Sequence, residues 1–100
     1  MSTQGPMTEA AYYILLALTK PGHGYGMMQR IKELSGGHIE MGPGTLYGVL
    51  TRMNKEGLIT LTSADGRRKN YEITEAGRQA LLAEYQRLKD MVRDGSVLEV

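Results

Sequence analysis

The stretch Gly42–Gly57 spells out a helix together with both of its ends. Pro43 suits a first helical position, where the missing N–H is one that the helix would leave unpaired anyway, and Gly57 suits the residue just past the last turn. Leu46, Val49, Leu50 and Met53 recur at 0, 3, 4 and 7, the spacing of a single buried face. The remaining surface carries Thr45, Tyr47, Gly48, Thr51, Arg52 and Lys55: hydroxyls, a residue without a side chain and two cations, with Glu56 the one acid at the tail. A helix held by a core on one side and offering donors and positive charge on the other is what a DNA major groove admits. The same periodicity also describes an ordinary surface helix, so the neighbouring segments decide.

Beyond Gly57 the period falls from 3.6 to 2. Ile59, Leu61 and Ser63 alternate with Thr60 and Thr62, and Tyr71 and Ile73 alternate with Asn70, Glu72 and Thr74. Between them lies Ala64-Asp65-Gly66-Arg67-Arg68-Lys69, whose Asp-Gly pair favours a tight hairpin turn. Two short strands therefore hold out a wing, over 63–70, with three consecutive cations. Upstream, Thr8 suits an N-cap with Glu9 in the first turn, and Ala11, Ile14, Leu15 and Leu18 repeat the 0, 3, 4, 7 spacing. This predicts helix one over residues 8–19, stopped by Lys20-Pro21-Gly22-His23-Gly24. Helix two runs from Gly24 or Tyr25 to Leu34, with Met27, Ile31 and Leu34 on one face, and Ser35-Gly36-Gly37 closes it.

Three helices and a hairpin, with cations on the third helix and on the hairpin tip, make a winged helix-turn-helix. A last helix starts at Thr74-Glu75, and its Leu81, Tyr85, Leu88 and Val92, spaced 4, 3 and 4 apart, form a coiled-coil-like seam that Leu82 and Met91 widen. So small a domain has little core left for this helix to cover, and the seam is expected to meet a second chain. The expected fold class is mainly α with a small β-hairpin: a winged helix-turn-helix plus a C-terminal dimerisation helix. Its divisions are a flexible N-terminal arm (1–7), a DNA-binding domain (8–74), the dimerisation helix (75–94) and a flexible tail (95–100).

The net charge of +1 conceals a partition. Between 52 and 70, Arg52, Lys55, Arg67, Arg68 and Lys69 face only Glu56 and Asp65, a balance of +3, whereas 71–100 carries −2. Such clustering is the electrostatic footprint of a polyanion-binding surface. There is no cysteine, which excludes disulfides and thiolate metal sites. His23 and His38 alone do not make a tetrahedral site, so no metal or cofactor is expected. No apolar run approaches the ~18 residues of a membrane span, and a soluble, cytoplasmic chain without membrane partners is expected. No nucleophile–base–acid set and no phosphate-cradling glycine loop is present, so the chain is not expected to be an enzyme.

Across residues 7–92 the chain resembles the PadR family of bacterial transcriptional regulators. The resemblance is carried by Tyr13-Ile14-Leu15-Leu16-Ala17-Leu18, His23-Gly24-Tyr25-Gly26, Gly44-Thr45-Leu46-Tyr47, Glu56-Gly57-Leu58-Ile59, Gly66-Arg67-Arg68-Lys69-Asn70-Tyr71 and Ile73-Thr74-Glu75-Ala76-Gly77. It implies a winged helix domain with a C-terminal dimerisation helix, of the short subfamily. It also implies a homodimeric repressor, often autoregulating, whose affinity for a double-stranded DNA operator is lowered by a small-molecule effector.

The expected DNA-binding residues are Thr45, Tyr47, Gly48, Thr51, Arg52 and Lys55 on the third helix and Arg67, Arg68 and Lys69 on the wing. Each has a plainer reading: Tyr47 as a half-buried ring packed on helix two, Gly48 as a close-packing residue, the cations as solvated surface. Dimerisation is assigned to Leu81, Tyr85, Leu88 and Val92. An effector pocket between helix one and the last helix would be lined by Tyr12, Tyr13, Tyr85, Leu88 and Met91. The alternative function is a winged helix that contacts other proteins without specific DNA binding.

Overall fold

The chain runs through α1 (Glu9–Ala17), β1 (Gly22–His23), α2 (Gly24–Leu34), α3 (Pro43–Lys55), β2 (Ile59–Asp65), β3 (Arg68–Ile73) and α4 (Glu75–Asp94), and ends in a 3₁₀ helix, Gly95–Glu99. The computed structural model describes residues 6–20, 22–65 and 68–100, with the backbone alone at 22–25, 63–65 and 68. The three N-terminal helices meet around Ile14, Leu15, Leu18, Met27, Ile31, Leu46, Leu50 and Met53, all essentially without solvent contact, and Ile59 of β2 closes that core from the hairpin side. Each such side chain contributes about 1.5–3 kcal/mol relative to exposure. With no Phe or Trp in the chain, Tyr71 on β3 is the one aromatic residue among those described that is fully taken into the core.

Local signals set the helix ends. Thr8 accepts from the Ala11 N–H at 3.1 Å and starts α1, which ends at Ala17, short of the predicted residue 19. Past that end, Arg30 of α2 donates to the carbonyls of Ala17 and Lys20, the latter at 2.9 Å; the residue four beyond Ala17 is Pro21, which has no N–H, and the guanidinium supplies the missing donor. At the end of α3, Gly57 adopts φ +79°, the Leu58 N–H donates to the Met53 carbonyl at 3.0 Å and the Gly57 N–H to that of Asn54 at 3.2 Å. These are the paired closing bonds of a helix that stops on a left-handed glycine.

Four features depart from the sequence reading. Gly22 and His23, expected within a loop, form a third strand that pairs antiparallel with Tyr71 and Asn70, giving the sheet order β1-β3-β2. Two residues are too few to display an alternation, which is why the strand has no signature. The hairpin strands also extend further than predicted, with Ala64 opposite Lys69 and Asp65 opposite Arg68, and a register shift between Leu61 and Ser63 accommodates the extra residue. Met7, assigned to a flexible arm, is half-buried against the core. Residues 95–99, assigned to a tail, wind into the exposed 3₁₀ helix.

Candidate nucleic-acid interface

On α3 the sequence predicts two faces, and burial separates them cleanly. Leu46, Leu50 and Met53 are buried and Val49 is half-buried, while Thr45, Tyr47, Gly48, Thr51, Arg52 and Lys55 are all exposed. At ~100° per residue the exposed set covers an arc of roughly 160°. Tyr47 is 41 % exposed and lies at the edge of that arc, near Tyr71. The Tyr71 hydroxyl is pushed above the ordinary tyrosine range by burial first and by Tyr47 second. Thr51 donates its hydroxyl to the Tyr47 carbonyl at 2.8 Å. Gly48 has open space where a β-carbon would stand, so no neighbour within the chain requires a glycine there.

Charge is distributed unevenly among ion pairs. In the second half of α4, Arg87 is held by Glu84, and Arg93 by Asp90 at 3.2 Å and Asp94 at 3.9 Å. Lys32 stands 3.9 Å from Glu40. Among the described residues, Arg52, Lys55 and Lys69 enter no ion pair. Arg52, Lys55 and Lys69 are therefore left for an external anion, whereas on α4 Arg87 and Arg93 are paired within the chain and Arg78 and Lys89 are not.

The wing stands beside α3 on strands β2 and β3. Lys69 is exposed on β3, and Thr62, at the register shift, donates to the Asn70 carbonyl at 3.2 Å. Arg68 is placed by its pairing with Asp65; Arg67 lies outside the described residues.

The residues assigned to dimerisation divide. Leu81 is buried in the core of its own chain and is not available to a partner, which corrects its assignment. Tyr85 and Val92 are 50 % and 76 % exposed and Leu88 is half-buried. The helical repeat is the same for all four; the difference is how much of the rest of the chain packs against each. Along the line where α1 leaves α4 runs a groove of about 490 Å³ lined by Tyr12, Tyr85, Leu88, Lys89, Val92 and Arg93, with almost wholly apolar walls. A neighbouring cleft of about 300 Å³ brings Tyr12, Tyr13 and Leu88 together with Glu84 and Arg87. Tyr12 and Tyr13 meet edge to face at 5.9 Å, and the Lys89 Nζ sits 5.2 Å over the Tyr85 ring. Of the predicted effector residues only Met91 lines neither space; its sulfur accepts instead from Arg87 at 3.0 Å.

The sequence reading overlooked Glu84. Its carboxylate is buried, accepts from Arg87, and is held below the ordinary glutamate range first by the Arg87 hydrogen bond. The i, i+3 spacing of Glu84 and Arg87 was a legible signal for the pair, but not for its burial. Among the described residues no group of three or more His, Cys, Asp or Glu could hold a metal ion, and no helix is long and apolar enough to cross a membrane.

Comparison with known proteins agrees with this architecture. The family model described as "Transcriptional regulator PadR-like family" matches residues 14–83. The chain is 37 % identical over 75 residues to the transcriptional regulator Rv3488 of Mycobacterium tuberculosis, a match covering 72 % of this chain and 67 % of that one. It spans only 21–28 % of the length of the other curated relatives it matches. A PadR family transcription regulator from Clostridium difficile superposes with TM-score 0.80 at 21 % identity, over 93 % of this chain and all of the other, which establishes the fold. Bacillus subtilis PadR, solved in complex with operator DNA, superposes with TM-score 0.68 at 29 % identity over 80 % of this chain and 48 % of that one. Exposed donors on α3, unpaired cations and a winged helix scaffold thus converge with sequence and fold: the chain belongs to the PadR-like family of transcriptional regulators, which are not enzymes.

Proposed function

We propose that the chain is a homodimeric, sequence-specific DNA-binding repressor that recognises a pseudo-palindromic operator. The observation that carries the reading is the exposed arc of α3, where two unpaired cations, two threonines, a tyrosine and a side-chain-free position share one face. In the proposed complex α3 enters the major groove, Tyr47 and Thr45 meet the phosphate backbone near the start of the helix, and Arg52 and Lys55 follow the groove. Arg67, Arg68 and Lys69 on the wing add contacts to phosphates or to the minor groove. Two copies joined along Tyr85, Leu88 and Val92 present two α3 helices to half-sites about one helical turn, roughly 34–36 Å, apart. A small-molecule effector would enter the apolar α1–α4 groove. Because Tyr85, Leu88 and Val92 line both the groove and the proposed seam, its occupancy and the dimer geometry would be linked.

The test is a titration of the purified protein against its own upstream promoter DNA, with random DNA as control, at two salt concentrations. Promoter binding tighter than random by ~10³ or more, the lower end of typical specificity ratios, supports the reading. Equal, salt-sensitive binding to both would move the winged helix toward contacts with other proteins.

A further inference from the structure

α4 changes character halfway along. Gly77, Ala80, Leu81 and Glu84 are buried against the rest of the chain, whereas every residue from Tyr85 to Asp94 is half-buried or exposed. The second half therefore stands off from the body, and its direction is set by how the first turn is held. Besides accepting the first intrahelical bond of α4 from Arg78, Thr74 makes three further bonds there. Its N–H donates to the Leu58 carbonyl at 3.0 Å, its hydroxyl donates to the Gly57 carbonyl at 2.6 Å, and the same hydroxyl oxygen accepts from the Gly77 N–H at 3.0 Å. One turn on, Gly77 lies directly against the Leu58 carbonyl.

Gly57 and Leu58 are also the residues whose N–H groups close the end of α3. Two consecutive residues thus use their donors to finish α3 and their acceptors to receive α4. No flexible segment intervenes between the helix assigned to DNA and the helix assigned to the partner.

We infer that Thr74 and Gly77 are positioning residues: together they fix the angle between α3 and α4, and through it the separation of the two α3 helices in a dimer. The inference rests on the proposed dimer. Its leverage follows from helix geometry. Leu88 lies fourteen residues beyond Thr74, about 21 Å along the helix at 1.5 Å per residue. A tilt of about 10° at the joint therefore displaces the seam by ~3.6 Å, close to the ~3.4 Å axial rise per base pair of duplex DNA. A loose joint would leave the two recognition helices out of register with any single half-site spacing.

The absence of cysteine makes the test direct. Asn54 is exposed on α3, so Asn54→Cys carries one spin label per protomer, and pulsed electron–electron resonance reads the distance between labels across the dimer. Thr74→Ser keeps both the acceptor that caps α4 and the donor to Gly57, and should reproduce the parent's narrow distribution. Thr74→Asp keeps a capping acceptor but cannot donate when ionised, and should broaden or shift the distribution by ~3 Å or more. If Thr74→Asp does not fold, Thr74→Ala takes its place with the same expectation. An unchanged distribution in the donor-less variant, or equal broadening in Thr74→Ser, would overturn the inference and leave Thr74 as a helix cap. No inter-label coupling in the Asn54→Cys parent at concentrations where other dimers form would instead remove the dimer, and the inference with it.

Discussion

A β-carbon built on Gly77 would lie 2.0 Å from the carbonyl oxygen of Leu58 and 2.9 Å from the Ile73 Cγ1. α4 therefore meets the α3–β2 junction backbone against backbone, where no change of rotamer can relieve an added methyl group. A glycine in the first turn of a helix is locally unfavourable, and here that local cost is the condition for docking α4.

Gly77→Ala should accordingly destabilise the protein by ~3 kcal/mol or more, despite alanine's better helix propensity, because the overlap is with main chain. Gly48→Ala, with open space around it, should stabilise by about 0.5–1 kcal/mol. Urea midpoints measure both. If α3 lies in the groove as proposed, Gly48→Ala should weaken operator binding while raising the midpoint, a separation of signs that a merely structural glycine would not produce.

Arg52→Ala and Lys55→Ala should each lower the slope of log K against log salt by about 0.9, the contribution of one phosphate contact on duplex DNA. Fluorescence anisotropy over a salt series reads this directly. Unchanged slopes would remove these cations from the interface. Tyr47→Phe should cost about 0.5–1.5 kcal/mol of binding by deleting one hydroxyl.

Leu81 and Val92 repeat on the same helix but should respond in opposite ways. Leu81→Ala should cost about 2–5 kcal/mol of folding stability, since the side chain is fully packed within its own chain. Val92→Glu, at a position 76 % exposed, should leave the monomer folded and shift sedimentation at micromolar concentration from dimer to monomer. A Val92→Glu protein that still sediments as a dimer would place the seam elsewhere.

Glu84 should make the stability of the fold acid-sensitive through its bond to Arg87 on α4. Its folded-state pKa is lowered, chiefly by the Arg87 hydrogen bond. The stabilisation is therefore complete above the unfolded-state value, about 4.3 for glutamate, and is lost as pH falls through the lower folded-state value. Melting temperatures of the parent and of Glu84→Gln should differ most near neutral pH and converge below about pH 4. A gap that stays constant down to pH 3 would assign the effect of the substitution to packing rather than to charge.

Features written within a few residues were legible before any tertiary contact was known. The caps at Thr8 and Thr74, the stop at Gly57, the buried face of α3 and the change from period 3.6 to period 2 are each set by neighbours less than two turns away, and the structure places them where those signals stand. The exposed arc of α3 was legible for the same reason: one amphipathic period names both faces at once. Tertiary structure alone decided the rest. Gly22 and His23 become a strand only because β3 offers them an edge, and the carbonyls left open past the end of α1 find their donor only because Arg30 arrives from another helix. Leu81 and Val92 carry the same local signal, and only the packing of distant segments against α4 determines which of them is covered. Gly77 reads in sequence as a weak helix residue, and its reason lies at Leu58, nineteen positions earlier. Hydrogen bonding along a helix acts over four residues, whereas burial depends on whatever distant segment the fold brings alongside.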